Sequence, residues 1–302
     1  MGGSPPASTS ELPLAAATLI LTSPPVIATL IPATDGQIAF VTDRDGNQEI
    51  YVSGADGSNP VNLTHNPAND RDPAWSPDGS KIAFHTDRDG SNDIYVMNAD
   101  GAGLTRLAAS PASDTSPDWS LDGARIVFTS ARDGDDTEIY VMNADGSNVI
   151  RLTDNDADDS APDWSPDGQF IAFDRVVNEA EEVFVMNADG ANQTQLTFNS
   201  GAASPDWSPD GTRIAFYAFR EQANADIYTM NSDGSNTVRL TTDPRYEANP
   251  IWSPDGERIA YFVELASDEK ESREVFVMNA NGSGQTQITD NTIRDELPVW
   301  RP

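Results

Sequence analysis

The tryptophans constrain the fold more than any other feature of this sequence. The chain contains six, separated by intervals of 44, 45, 43, 45 and 48 residues. Their positions are Trp75, Trp119, Trp164, Trp207, Trp252 and Trp300. A period in the low forties combined with β-type patterning is typical of propeller blades. Because no tryptophan lies outside the series, all six occupy one repeated position.

Each repeat contains the same four short segments. A Pro-x-Trp segment is followed by Ser-Pro-Asp-Gly, as in residues 162–168, which is a tight-turn sequence that links two antiparallel strands. The next segment alternates, as in Ile171 and Phe173, with the period of two that marks a strand. A third segment joins an acid to an aliphatic and an aromatic residue and runs into an Asp-Gly hairpin turn, and a fourth ends near Leu-Thr. Four strands in each repeat make one blade.

The two ends of the repeat region predict how the ring closes. The first repeat begins at Gln37 without a Pro-x-Trp strand, whereas residues 295–302 supply that strand with nothing after it. We therefore expect the C-terminal strand to complete the first blade, which removes the open sheet edges. The predicted fold class is all-β: a six-bladed β-propeller of four-stranded blades over residues 37–302, preceded by an extended N-terminal segment.

The N-terminal segment, residues 1–36, differs in composition from the repeats. Residues 1–34 carry one charged side chain, Glu11, and Pro24 and Pro25 divide their apolar part. Without a basic start or a long apolar run, neither a signal peptide nor a membrane helix fits, and two short extended segments fit better. We expect residues 1–34 either to pack as a strand or in a groove on another copy of the protein, giving a head-to-tail homopolymer, or to fold back onto their own propeller.

The charge and the scarce metal-binding side chains exclude several functions. The net charge of −31 repels nucleic acid and anionic membranes and attracts cations. There is no cysteine, and the two histidines, His65 and His85, lie in different repeats. A histidine-based metal cluster or a Ser-His-Asp relay is therefore not expected.

The repeat motifs resemble a known family. Pro-x-Trp-Ser-Pro-Asp-Gly, then Lys/Arg-Ile-Ala-Phe, then Glu-Ile-Tyr-Val-Met-Asn-Ala-Asp-Gly is similar to the repeat of TolB-like, or PD40-type, β-propellers, and all six copies over residues 37–302 keep the order and spacing. The resemblance implies a propeller that acts in or beyond the bacterial envelope, periplasmic or extracellular, usually as a protein-binding platform. TolB itself carries an additional N-terminal α/β domain, for which residues 1–36 are too short. We expect only the general role of the propeller to apply.

The sequence favours a binding protein over an enzyme. Related propellers accompany α/β-hydrolase domains, but no Gly-x-Ser-x-Gly motif occurs here. Oligogalacturonate lyases resemble the fold and have histidine-rich metal sites, which two scattered histidines do not match. The acid before each aliphatic-aromatic pair occurs in all six repeats, as in Glu138, so it is architectural rather than catalytic.

One candidate set of Ca²⁺ ligands lies in the hairpins between the second and third strands. Alternate carboxylates around a glycine-containing turn, followed by a further acid, suit a hard cation. The same Asp-x-Asp-Gly sequence is also an ordinary hairpin turn, so both interpretations stay open. The residues are Asp43, Asp45, Glu49, Asp87, Asp89, Asp93, Asp133, Asp135 and Glu138.

A second candidate set lies five residues before the tryptophans, where Ala202 interrupts a series of acids. These acids are Asp70, Asp114, Asp159, Glu247 and Asp295. If their strands line the axis, they ring one mouth of the channel and are either hydrated or bound to Ca²⁺. Asp118, Asp163 and Asp206 are expected to strengthen the same negative field.

These features predict a non-catalytic protein-interaction or self-assembly module, in its sharpest form a homopolymer formed through residues 1–34 and supported by calcium. The alternative is an envelope sensor or binding module that takes a small cationic ligand in its acidic channel.

Overall fold

A computed structural model describes Met1 and residues 36–107, 110–219, 224–266, 271–291 and 293–302. All regular elements in these residues are β strands, and they form six four-stranded sheets. The expectations for residues 2–35 lie outside the described part of the chain. The all-β, six-bladed prediction is confirmed.

Strands follow one another in chain order from the first blade to the sixth. Blades 1 to 3 contain β1 (Gln37–Thr42), β2 (Glu49–Gly54), β3 (Val61–Asn62), β4 (Asp70–Trp75), β5 (Lys81–Thr86), β6 (Asp93–Asn98), β7 (Thr105–Arg106), β8 (Asp114–Trp119), β9 (Arg125–Ser130), β10 (Glu138–Asn143) and β11 (Ile150–Arg151). Blades 4 to 6 contain β12 (Asp159–Trp164), β13 (Phe170–Val177), β14 (Ala180–Asn187), β15 (Thr194–Gln195), β16 (Ala203–Trp207), β17 (Arg213–Ala218), β18 (Asp226–Asn231), β19 (Val238–Arg239), β20 (Glu247–Trp252), β21 (Arg258–Ala266), β22 (Glu271–Asn279) and β23 (Thr286–Gln287).

The last strand, β24 (Asp295–Trp300), belongs to the first blade. It pairs antiparallel with β1, placing Trp300 opposite Ile38 and Asp295 opposite Thr42. The sheet order is therefore β24-β1-β2-β3, and the predicted closure is confirmed. The outermost strand of every blade has only two residues, which limits the edge available for unwanted pairing.

The hydrophobic core lies between neighbouring blades. Trp119, Ile126 and Phe128 of blade 3 pack with Ala83 and Ile94 of blade 2, and the same arrangement recurs around the ring. None of the six tryptophans is more than 8% exposed. Full burial of one such large apolar side chain contributes roughly 1.5–3 kcal/mol, so each gap between blades is a separate source of stability.

Every innermost strand contains a β-bulge. The pairing register shifts between the first two residues and the residues next to the tryptophan. One non-glycine residue at each bulge has a positive φ of 48° to 54°. These residues are Asp72, Ser116, Ala161, Ser204, Asn249 and Leu297. Bulges re-aim side chains, and these six side chains all line the axis of the ring.

Candidate functional site

The candidate site is the central channel. Residues from the innermost strands of all six blades line a cavity of about 180 Å³ on the axis. The bulge residues form one layer of its wall. A second layer consists of the residues that precede the tryptophans: Ala74, Asp118, Asp163, Asp206, Ile251 and Val299.

The second layer divides the channel wall into two halves. The carboxylates of Asp118, Asp163 and Asp206 come from three consecutive blades and form an acidic arc. The other three blades contribute alanine, isoleucine and valine at the same position, which form an apolar arc. This layer therefore offers carboxyl groups on one side and hydrocarbon on the other, a combination that suits a group with one cationic end. In the bulge layer, Asp72 of blade 2 adds a carboxyl group that lies 3.3 Å from Nδ1 of His85.

The three aspartates of the acidic arc also join neighbouring blades. Oδ2 of Asp118 accepts a hydrogen bond from the backbone N–H of Trp164 at 2.9 Å. Asp163 accepts from Trp207 at 2.7 Å and Asp206 from Trp252 at 2.6 Å. All three side chains are half-buried. The prediction that they strengthen the field of the channel omitted this structural role, because the partner N–H is more than forty residues away in the chain.

Burial perturbs the acidic arc strongly. It raises the pKa of Asp118 to about 7. It also raises the pKa values of Asp163 and Asp206 well above 3.8, and the charge of neighbouring carboxylates adds to the effect. Burial thus favours the neutral forms of these carboxyl groups, whereas a cation bound beside them would favour the charged forms.

The five acids that were expected to line the channel lie inside the blades instead. Their exposure is 0% or 1%, and they do not line the cavity. Four of them pair with arginines of the same blade: Arg88 with Asp70 at 2.9 Å, Arg132 with Asp114 at 2.8 Å, Arg175 with Asp159 at 2.7 Å and Arg44 with Asp295 at 3.1 Å. The fifth, Glu247, has its pKa raised to about 7 by burial. The expectation that these acids ring the mouth of the channel is thus corrected: all five are buried within the blades, and four of them pair with an arginine of the same blade.

Each of these arginines also covers an aromatic pair of its own blade. The guanidinium of Arg132 lies 5.1 Å from the ring centroids of both Phe128 and Tyr140. Arg44, Arg88 and Arg175 repeat the arrangement. Carboxylate, guanidinium and rings therefore form one packed unit in blades 1 to 4, which explains the repetition of the acid without a metal.

With one exception, the hairpin acids predicted as Ca²⁺ ligands form hydrogen bonds or ion pairs with other residues. Asp45 and Asp89 accept hydrogen bonds from the hydroxyls of Tyr51 and Tyr95, and Asp133 accepts from Tyr140 at 2.7 Å. The acids at the start of the third strands are buried: Glu49 accepts from the N–H of Asn66 at 3.0 Å, while Asp93 and Glu138 pair with Arg106 at 2.8 Å and Arg151 at 2.7 Å. Asp43 and Asp87 accept backbone N–H groups of Arg294 and Asn69 at 3.1 and 2.9 Å, and Asp135 is exposed.

Across the described ranges, no three histidine, aspartate or glutamate side chains come together in a group that could hold a metal ion. Calcium binding by the hairpin acids or by the five blade acids therefore stays a prediction.

An aromatic group near the channel departs from the repeat pattern and was not part of the sequence-based expectations. Tyr217 pairs with Ala203, which directly precedes the channel-lining Ser204. The rings of Tyr217, Phe219 and Tyr246 lie 5.8 to 6.1 Å apart between their centroids, and Phe219 is 40% exposed. Comparison of the six repeats could have found the group, because the position of Tyr217 carries valine, histidine and threonine in blades 1 to 3.

Comparison with known proteins gives one family. The family model of the TolB beta propeller domain matches residues 32–103, 73–197 and 156–302. A 45-residue segment, 15% of this chain, is 44% identical to the Tol-Pal system protein TolB of Desulfosudis oleivorans, and it spans only 10% of that relative's length.

Solved structures share the fold. TolB from Acinetobacter baumannii superposes with a TM-score of 0.76 at 22% identity, over 89% of this chain and 68% of that one. An oligogalacturonate lyase from Vibrio parahaemolyticus superposes with a TM-score of 0.60 at 14% identity, over 84% of this chain and 74% of that one. In the described residues no helix is long and apolar enough to span a membrane.

Proposed function

Because the chain belongs to the TolB beta propeller domain family, we propose that it is a non-catalytic, extracytoplasmic module that binds another protein through its central channel. The observation that carries this proposal is the division of the channel wall into an acidic and an apolar arc. A channel of about 180 Å³ admits a side chain or a chain end, but not a folded domain.

The energetics of the acidic arc favour a cationic group of the partner. Asp118, Asp163 and Asp206 are desolvated, and among the described residues no arginine or lysine lines the channel beside them. A lysine side chain or a chain terminus entering between the arcs would restore their charge while its carbon atoms contact Ile251 and Val299. Non-glycine residues held at positive φ, such as Ala161 and Leu297, store strain of the kind that clusters at binding sites.

A non-catalytic role suits the way the acids are used. The carboxylates of the arc accept tryptophan N–H groups, and the acids within the blades pair with arginines. These bonds give the acids a structural role, because they join neighbouring blades or connect strands within one blade.

The main test uses a variant in which a cationic side chain is introduced into the channel wall. Val299→Arg would place a guanidinium in the apolar arc opposite the aspartates, and the variant is first checked for an unchanged thermal midpoint. Immobilised wild-type protein should retain envelope proteins that the variant does not retain. Recovery of the same proteins on both columns would contradict binding through the channel.

The second candidate function is capture of a small cationic ligand in the same channel, as in a sensor. The acidic arc supports both candidate functions equally, so binding of a small cation distinguishes between them. Calorimetric titration with butylammonium should give saturable heat with the wild type and none with Val299→Arg. Saturation at micromolar concentration would favour the small ligand over the protein partner.

Self-assembly through residues 1–34, supported by calcium, is a separate proposal about residues that lie largely outside the described part. Light scattering of the full chain and of a chain without residues 1–34, each with and without chelator, tests it. Large assemblies that dissolve on deletion or chelation would support it, and an unchanged assembly state would exclude it.

A further inference from the structure

The tryptophan of each blade lies against the preceding blade, and in four of the six gaps a guanidinium covers its ring. The distances from Cζ to the ring centroid are 4.7 Å for Arg125 over Trp164, 6.0 Å for Arg213 over Trp252, 4.6 Å for Arg258 over Trp300 and 5.0 Å for Arg301 over Trp75. The first three arginines begin the second strands of their blades, β9, β17 and β21. An arginine stacked on the indole is therefore a repeated feature of the gaps between blades.

Two gaps depart from this arrangement. The first residue of the second strand is Lys81 in blade 2 and Phe170 in blade 4. Beside the tryptophans of these gaps lie cavities of about 430 Å³ at Trp119 and about 380 Å³ at Trp207. In the described part of the chain no guanidinium covers either ring. Both gaps without the arginine thus contain open space beside the indole.

The gap between blades 4 and 5 differs from the other because none of the described residues that line its cavity is basic. The lining includes Phe170, Trp207 and the carboxylates of Asp167, Asp210 and Asp233, whereas Lys81 lines the gap between blades 2 and 3. Hydrogen bonds from serine hydroxyls lower the pKa of each of the three aspartates, so all are ionised at neutral pH. Among the described residues none of the three forms an ion pair.

The gaps that contain an arginine show which chemical group fits beside the tryptophan. Arg258 lies on Trp300 and also within 3.9 Å of Asp255, the aspartate of the Ser-Pro-Asp-Gly turn in its own blade. Asp167 is the equivalent aspartate of blade 4. A planar guanidinium stacks on an indole and pairs with a carboxylate at the same time, which an ammonium does less well. Blade 4 keeps the carboxylate and faces the indole, but has phenylalanine where the cation would be.

We propose that the cavity between blades 4 and 5 binds the guanidinium of an arginine side chain presented by another polypeptide. The guanidinium lies over Trp207 and pairs with Asp167, and the aliphatic stem contacts Phe170, which is 37% exposed. The net charge of −31 attracts a basic segment to this surface. The site goes beyond the proposed function, because it lies between the turns of two blades rather than in the channel.

The test uses the peptide Ac-Gly-Arg-Gly-NH2 and the indole N–H resonance of Trp207 in ¹⁵N-labelled protein. We expect a saturable shift with a Kd on the order of 1–10 mM, the strength of one stacked ion pair. The matched peptide with citrulline, which has nearly the same shape without the charge, should bind at least about tenfold more weakly, a difference of about 1.4 kcal/mol. Equal binding of the two peptides, or a shift that does not saturate, would overturn the proposal.

Two variants separate the site from non-specific attraction. Phe170→Arg restores the residue of blades 3, 5 and 6, so it should keep or raise the thermal midpoint and abolish the Trp207 shift. Asp167→Asn should weaken binding of the arginine peptide about threefold or more without unfolding the protein. Persistence of the shift in both variants contradicts the site, whereas Val299→Arg, which blocks the channel, should leave it unchanged. Failure of this inference is thus distinguishable from failure of the channel proposal.

Discussion

Asp118, Asp163 and Asp206 combine two roles at the scale of single residues. Each accepts the N–H of the next blade's tryptophan through one oxygen and remains half-buried in the channel wall. The hydrogen bond favours the ionised form, but burial outweighs it and raises the pKa values. Burial therefore disfavours ionisation of these three carboxyl groups although each accepts a hydrogen bond from the next blade. A bound cation would favour their ionised forms.

The pH dependence of stability tests this balance at Asp118. Its pKa is about 7 in the folded protein against 3.8 when unperturbed, so its contribution to stability is complete below about pH 4 and is lost as the pH rises through 7. Asp118→Asn keeps an acceptor for Trp164 and removes the titration. The variant should match the wild type at pH 4 and be about 1–3 kcal/mol more stable at pH 8, by thermal denaturation.

Asp122→Asn is the matched control for that prediction. Hydrogen bonds from Ser120 and from the N–H of Ala124 lower the pKa of Asp122, so its contribution is present above pH 4 and is lost at lower pH. This variant should lose stability at pH 8 and resemble the wild type at pH 3. Identical pH profiles for the two variants would contradict the assignment.

Arg132 tests the ion pairs inside the blades. Arg132→Ala leaves Asp114, which is fully buried, without its partner at 2.8 Å, and should cost about 3–5 kcal/mol in urea denaturation. The double variant Arg132→Met with Asp114→Asn removes both charges and should cost clearly less. An equal loss of stability in the single and the double variant would show that packing, not the unpaired charge, sets the loss.

Strands and turns could be predicted at the scale of elements because they depend on local sequence. In the Ser-Pro-Asp-Gly turn the serine hydroxyl bonds its own aspartate, as between Ser165 and Asp167 at 2.6 Å, so every contact lies within a few residues. The bulges could not be predicted, since Ala161 and Leu297 give no sign of a positive φ. The arginine partners of four buried acids could not be predicted for a related reason: Asp70 meets the hairpin of Arg88 only through the register of two strands.

Substitution of two turn glycines in blade 4 separates the cost of local backbone strain from the cost of a steric clash with the neighbouring blade. Gly190 and Gly168 have φ of +85° and +68°, so alanine is strained at both. A Cβ on Gly190 would also lie 2.5 Å from the carbonyl oxygen of Leu152, whereas nothing lies within 4 Å of one on Gly168. Gly168→Ala should cost about 1–2 kcal/mol and Gly190→Ala more, by chemical denaturation. Equal losses would show that the Asp-Gly hairpin moves aside freely.

The whole molecule depends on one junction between distant parts of the chain. β24 supplies the inner strand of blade 1, and Arg301 bonds the side chain of Gln37 at 2.6 Å and the carbonyl oxygen of Gly79 at 2.8 Å. The same arginine covers Trp75, whereas in three other gaps the arginine over the tryptophan comes from the second strand of a blade. The position of the junction followed from counting repeats, whereas the role of Arg301 did not, because it departs from the repeat.

Removal of residues 295–302 tests the ring as a unit. The deletion removes Trp300, which is 3% exposed, and leaves β1 without its inner neighbour, so two blades lose packing and a sheet edge is opened. The expected loss is comparable with the whole free energy of unfolding, about 5–15 kcal/mol, and the product should aggregate in light scattering. Arg301→Ala removes the bonds across the junction but keeps β24, and should lower the thermal midpoint by only a few degrees, for a loss of about 1–2 kcal/mol. A truncated protein that keeps its thermal midpoint and stays monodisperse would mean that the remaining blades hold together without closure.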